Sequence, residues 1–276
     1  MPKDILVHIP VTDRAKPVID CAVSLAQTFG AHLDGVVRIY QSFNPAIAIE
    51  FSAAALAVEA EIEPDVQMAE ATLEQFMAAA AEAGIPYGTK TISGKASAVF
   101  RRTAELSRLY SLVVVAQLDP QKPNHDSALP EMLLLECGRP LLLIPYIHRG
   151  PLKMHRVLIC WDGGSQAARA VHDAMPLLHK ATEVDVVTVD GGDVTAENSP
   201  EALKAHLVRR GLSVNVYRMP SNTINIHDAI LSLAADYSTD LIVMGGYGHS
   251  RLREYVLGGV TRGMLETLTI PALISH

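Results

Sequence analysis

Cysteine is scarce: Cys21, Cys137 and Cys160 are the only three in 276 residues, and none forms a CxxC pair. Their separation excludes a disulfide framework and a paired-thiol metal or redox site. Each falls in an apolar segment, so buried, reduced thiols are expected. Positive charge is also short. Lys and Arg number 23 against 30 Asp and Glu, for a formal charge of -7, and the basic residues are scattered. No duplex-wide phosphate-binding face can be built from them, and nucleic acid is not an expected partner. No apolar run reaches the ~18 residues needed to span a bilayer, so no membrane partner is expected. Met1-Pro2-Lys3-Asp4 leads straight into a short strand pattern, and we expect a cytoplasmic protein. Catalytic signatures are missing too. There is no Ser-His-Asp order with a nucleophile elbow, no G-x4-G-K-S/T phosphate loop, and no pair of carboxylates beside a glycine-rich turn to hold Mg²⁺ for phosphoryl transfer. The eleven histidines lack metal-ligand spacing. Binding, rather than catalysis, is the expected activity.

What the chain does have is apolar periodicity. Hydrophobic residues make up 49% of it, enough for a sizeable core. Short β-branched runs near 4–9, 32–39, 86–92, 111–117 and 140–145 alternate with helical patterns near 14–29, 56–83, 96–109 and 128–138. The same order returns with strands near 155–161, 183–190, 213–219, 240–246 and 271–275, and helices near 165–179, 198–211, 224–237 and 252–268. Segments align across the halves by position: 4–10 with 156–162, 111–116 with 240–245, and 139–144 with 270–275. Strands apolar throughout, such as Leu112 to Ala116 and Leu241 to Met244, need cover on both faces, which is the mark of a parallel sheet flanked by helices. The expected fold is α/β, with two tandem doubly wound five-stranded domains over 1–148 and 152–276. Tyr146 to Lys153 reads as the linker between them. The last strand of each half, Pro140 to Pro145 and Pro271 to Ser275, would expose an apolar edge unless covered. Two such edges can cover each other, which predicts an intramolecular pseudo-dimer.

The most informative stretch is Gly245-Gly246-Tyr247-Gly248-His249-Ser250, followed by Gly258-Gly259-Val260-Thr261. It lies between a buried-strand pattern and a helical one, where backbone N–H groups and a helix dipole can meet a phosphate. The first strand of the same half ends at Trp161-Asp162-Gly163-Gly164-Ser165, which sets a carboxylate beside a turn and a Ser able to cap the next helix. In a doubly wound order these two strands are neighbours, so Asp162 and Gly245 would flank one crevice at the carboxyl ends of the strands. Arg251, Arg253 and Arg262 flank the loop and could offset phosphate charge, although solvent-facing helix arginines are the commoner case. The segment from Gln41 to Gly84 is read as a lid or packing helix of the first half; a sharper reading makes it the wall of an apolar ligand cavity.

These residues resemble the universal stress protein family, and the whole chain looks like its tandem members. In the nucleotide-binding branch the loop reads G-x2-G-x9-G followed by Ser or Thr, and Gly245, Gly248 and Gly258 match the three glycines. The resemblance implies that Asp162 and Val189 line an adenine pocket and that Met244 contacts the nucleoside. It also implies that His249, Ser250 and the amides of Gly258, Gly259 and Val260 meet the phosphates. Gly259 departs from the expected Ser or Thr, which removes a hydroxyl donor that Thr261 is placed to replace. The expected ligand is ATP or another adenine nucleotide, with Mg²⁺ left open beside it, and a homodimer of pseudo-dimers is left open as a partner. In the first half Pro10, Ala116 and Asp119 stand where Asp162, Gly245 and Gly248 stand in the second, so that copy is expected to bind no nucleotide. Two alternatives remain: an interaction protein with a vestigial nucleotide site, acting through its dimer surface, and an adenylate-forming or flavin-linked enzyme. The latter lacks its SGGxD-type loop or flavin signature.

Overall fold

A computed structural model of the chain describes residues 1–40, 53–117, 124–190, 195–220, 225–247 and 254–276. The first half runs β1 (Asp4–His8), α1 (Ala15–Phe29), β2 (His32–Tyr40), α2 (Ala53–Glu82), β3 (Tyr87–Gly94), α3 (Ala96–Ser107), β4 (Leu112–Ala116), a 3-10 turn (His125–Ala128), α4 (Leu129–Glu136) and β5 (Leu141–Ile144). The second runs β6 (Arg156–Cys160), α5 (Ser165–Leu178), β7 (Glu183–Val189), α6 (Pro200–Val208), β8 (Val214–Met219), α7 (Ile226–Asp236), β9 (Leu241–Gly245), α8 (Glu254–Thr267) and β10 (Ala272–Ser275).

All ten strands join one sheet in the order β3-β2-β1-β4-β5-β10-β9-β6-β7-β8. Among the described residues every pairing within each half is parallel, and the single antiparallel pairing is β5 with β10, Leu273 opposite Leu142. The two apolar edges thus close on each other, giving the expected pseudo-dimer as one continuous sheet. Registers repeat between the halves. His8 lies opposite Val36 and Val115, while Cys160 lies opposite Val187 and Met244. Counting from those pairs, Arg38 holds the position of Val189, and Asp34 that of Asp185.

Side chains alternate across a strand, so each buried strand feeds two apolar layers. On one face α1, α2, α5 and α6 cover Val7, Val114, Leu142, Ile159 and Val243. On the other, α4, α7 and α8 cover Val115, Leu143, Leu158 and Met244, with α3 over Leu6 and Val36. The α2 segment read as a lid or packing helix packs on β2, β3 and α1, with Phe76 fully buried where Gly35 leaves room for its ring. Residues 41–52, the first part of that segment, lie outside the described residues.

The stretch expected as a linker is tied down. Leu152 and Met154 are buried, and the Leu152 amide donates to the Ser24 hydroxyl of α1. The cysteines are free thiols, Cys21 and Cys137 buried and Cys160 partly so. No helix among the described residues is long and apolar enough to cross a membrane.

Candidate functional site

The carboxyl ends of β6 and β9 lie side by side in the second half, with Cys160 paired to Met244. One residue further along stand Trp161, which is buried, and Gly245. The Trp161 amide still donates to Val187 of β7, and its indole N–H donates to the Asn198 carbonyl at 2.8 Å. Asn198 in turn donates to the Gly163 carbonyl at 3.2 Å and accepts the Thr195 amide. Gly163 has φ +75°, a conformation costly for any side chain, and a Cβ there would run into the Asn198 amide. The turn after β6 is therefore built around Asn198, which the sequence reading did not single out.

Asp162 follows Trp161, with one carboxylate oxygen accepting the Gly164 amide at 2.8 Å. Desolvation of the neighbouring Cys160 thiol, with the Asp162 charge as the smaller cause, pushes that thiol up to about 12. That thiol is no nucleophile at neutral pH. Ser165 does not cap α5 as expected. The N-cap is Gly164, with no side-chain cap bond, and the Ser165 hydroxyl donates to the Gln166 side chain instead. Ser165 is itself the first residue of the helix, one position too late for its hydroxyl to act as the cap.

Gly245 is required for a reason other than phosphate approach. A Cβ on it would sit 2.6 Å from the Ala167 nitrogen and 2.7 Å from the Gln166 carbonyl carbon, so α5 packs its first turn onto this glycine. Gly246 donates its amide to Ser275 and faces Leu134 of α4, in the first half. Tyr247, at φ +50°, donates its hydroxyl to Glu131 of α4 at 2.8 Å and its amide to the Thr261 hydroxyl oxygen at 3.2 Å.

Several expected contacts change accordingly. Thr261 is buried and its hydroxyl anchors the start of the glycine turn, so it does not stand in for the hydroxyl missing at Gly259. Met244 is 4% exposed and belongs to the apolar layer, while Val189 is half-buried beside it. Gly258, Gly259 and Val260 lie beyond the first turn of α8, where the helical ladder takes each N–H. Their amides are committed to the helix rather than presented to a phosphate. Gly259 itself is open: a Cβ there meets nothing within 4 Å. Arg262 pairs with Glu266 one turn along α8 at 2.9 Å, the solvent-facing role expected of it. Gly248, His249, Ser250, Arg251 and Arg253 lie outside the described residues, as does Asp119. Among the described residues no group of three or more His, Cys, Asp or Glu is arranged to hold a metal ion.

The matching place in the first half is filled. Where the second half has Val189, Arg38 forms a bidentate ion pair with Asp126 (2.9 and 2.7 Å); the Tyr40 hydroxyl donates to Asp126, and Arg38 donates to His8. Pro10 stands at the position of Asp162, as the sequence implied. The filling residues were missed, although a lone Arg inside the apolar run Val36-Val37-Arg38-Ile39 is a readable signal.

The sequence model of the universal stress protein family matches residues 153–276. A universal stress protein of Methanocaldococcus jannaschii is 32% identical over 82 residues, 29% of this chain and 47% of that protein. One from Synechocystis is 25% identical over 157 residues, 54% of this chain and 51% of that protein. The chain thus spans about half the length of these two relatives. A solved universal stress protein of Archaeoglobus fulgidus has the same fold at a TM-score of 0.72 and 16% identity, covering 98% of this chain and 95% of that one. Residues 153–276 thus match the universal stress protein family, and the fold of the amino-terminal half repeats the same unit.

Proposed function

We propose that the second half, residues 152–276, binds ATP or a related adenine nucleotide, and that the protein is a cytoplasmic stress-response or regulatory protein whose conformation follows occupancy of that site. One observation supports the reading: β6 pairs with β9, so Asp162 and the glycine-rich turn follow the carboxyl ends of neighbouring strands, where an open α/β sheet takes its ligand. The base would lie beside the Asp162 carboxylate and Val189, and the phosphates toward residues 248–250. Contact with the amides of 258–260 requires the first turn of α8 to unwind on binding, which offsets part of the affinity.

Isothermal titration with ATP tests this. The wild-type chain should bind at one site, and Asp162→Ala should weaken binding by roughly tenfold to a hundredfold, the worth of one hydrogen bond to a charged group, about 1.5–3 kcal/mol. Gly248→Asp should abolish it by setting a carboxylate against the phosphates. Wild-type affinity that both variants leave unchanged would sink the site.

A second reading, an interaction protein with a vestigial site, draws on Gly259. The family resemblance expects a hydroxyl there, and open space at that position means no packing demand removed it. No heat of binding at millimolar ATP, and none of the thermal stabilisation a bound ligand gives, decides for this reading.

A further inference from the structure

The carboxyl ends of β1 and β2 converge on one guanidinium. The Arg38 side chain is 2% exposed. Its Nε and one Nη donate to both oxygens of Asp126, at 2.9 and 2.7 Å. The other Nη lies 3.1 Å from His8 Nδ1. The Ser107 hydroxyl donates to the Thr103 carbonyl, so at 3.0 Å from His8 Nε2 its oxygen accepts. That assigns the proton of His8 to Nε2 and leaves Nδ1 to accept from Arg38. Tyr40 donates its hydroxyl to Asp126, and its ring packs against those of His125 and Phe100. Asp126 stands in the 3-10 turn that ends the connection after β4. In the second half the same connection, after β9, is the glycine-rich one.

We infer that the first half contains a carboxylate-binding site on Arg38, lined by His8 and Tyr40 and filled by the chain's own Asp126. The same register position in the other half is the apolar Val189, so the fold does not require a cation there. A buried ion pair typically adds little over well-packed apolar residues of the same volume, so stability alone does not account for it. A guanidinium with two N–H groups aimed in parallel is the arrangement that takes a planar carboxylate. The connection that would bring amides to a phosphate in the second half brings an anion to a cation in the first. With Asp126 in place both N–H groups on that edge of the guanidinium are taken. The site does not depend on whether the second half binds nucleotide.

Chemical rescue tests this without nucleotide. Asp126→Ala should melt well below the wild type in sodium chloride. Sodium acetate at equal ionic strength supplies the missing carboxylate, so it should raise the melting point of that variant saturably at millimolar to molar concentrations, and leave the wild type unmoved. The double variant Arg38→Met with Asp126→Ala should fold with an apolar filling and show no acetate effect. If Asp126→Ala does not fold in chloride, the yield of refolding in acetate against chloride becomes the readout, with recovery expected in acetate alone. Equal acetate shifts in the wild type and the single variant, persistence of the shift in the double variant, or refolding indifferent to acetate would each overturn the site.

Discussion

His8 is 1% exposed, and burial, reinforced by the Arg38 charge, holds its imidazole well below the ordinary histidine value of 6.5, against the smaller raising effect of Asp126. The folded state therefore keeps His8 neutral while the unfolded chain protonates it as pH drops through that value. The unfolded state binds more protons in this window, so stability present at neutral pH is lost as pH falls below about 6.5. One such group contributes up to about 1.4 kcal/mol per pH unit. Urea unfolding of the wild type between pH 7.5 and 5 should show this loss, and His8→Gln should flatten the slope. An identical slope in the variant would mean that another group carries it. Asp34 works with the opposite charge. Burial raises its carboxyl, but hydrogen bonds from Tyr110, His32 and Lys90 outweigh that and hold it below the usual carboxylate value. Its contribution is complete at neutral pH and disappears only in acid.

Helix α5 meets β9 so closely that Gly245 has backbone, not a flexible side chain, where its Cβ would be. Gly245→Ala must push the helix off the strand, at a cost of about 1–3 kcal/mol typical of overpacking. Urea denaturation should register that loss whether or not nucleotide is present, which separates this structural role from ligand contact. The 3-10 turn and α4 form another element with two attachments. Asp126 holds Arg38 at one end, and Glu131 holds the Tyr247 hydroxyl of the second half's glycine turn further along. One short segment of the first half thus touches the strand ends of its own half and the glycine-rich turn of the other. Its two polar anchors were not legible in sequence, because each partner is more than eighty residues away.

The seam between β5 and β10 makes one molecule of two repeated units. Leu141, Leu142, Leu143 and Ile144 are at most 1% exposed, and full burial of such side chains is worth about 2 kcal/mol each. Gln117, 2% exposed, crosses the same seam by donating to the Leu265 carbonyl. Expressed separately, residues 1–148 and 152–276 should each expose that edge and self-associate, whereas co-expressed halves should copurify as a one-to-one pair on size exclusion. Two monodisperse, non-interacting halves would show that the seam is dispensable.

The strand and helix pattern, its duplication and the mutual cover of the two apolar edges were written in local periodicity, because burial on one face or two fixes spacing within a few residues. Asp162 and the glycine turn were legible for the same reason, since strand ends and turns are local. Tertiary structure alone decided what those groups touch. It placed α5 against Gly245, gave the Thr261 hydroxyl to the Tyr247 amide, and set Asp126 upon Arg38. Each of these depends on a close approach between segments distant in the chain, and hydrogen-bond geometry of that kind leaves no period in a sequence.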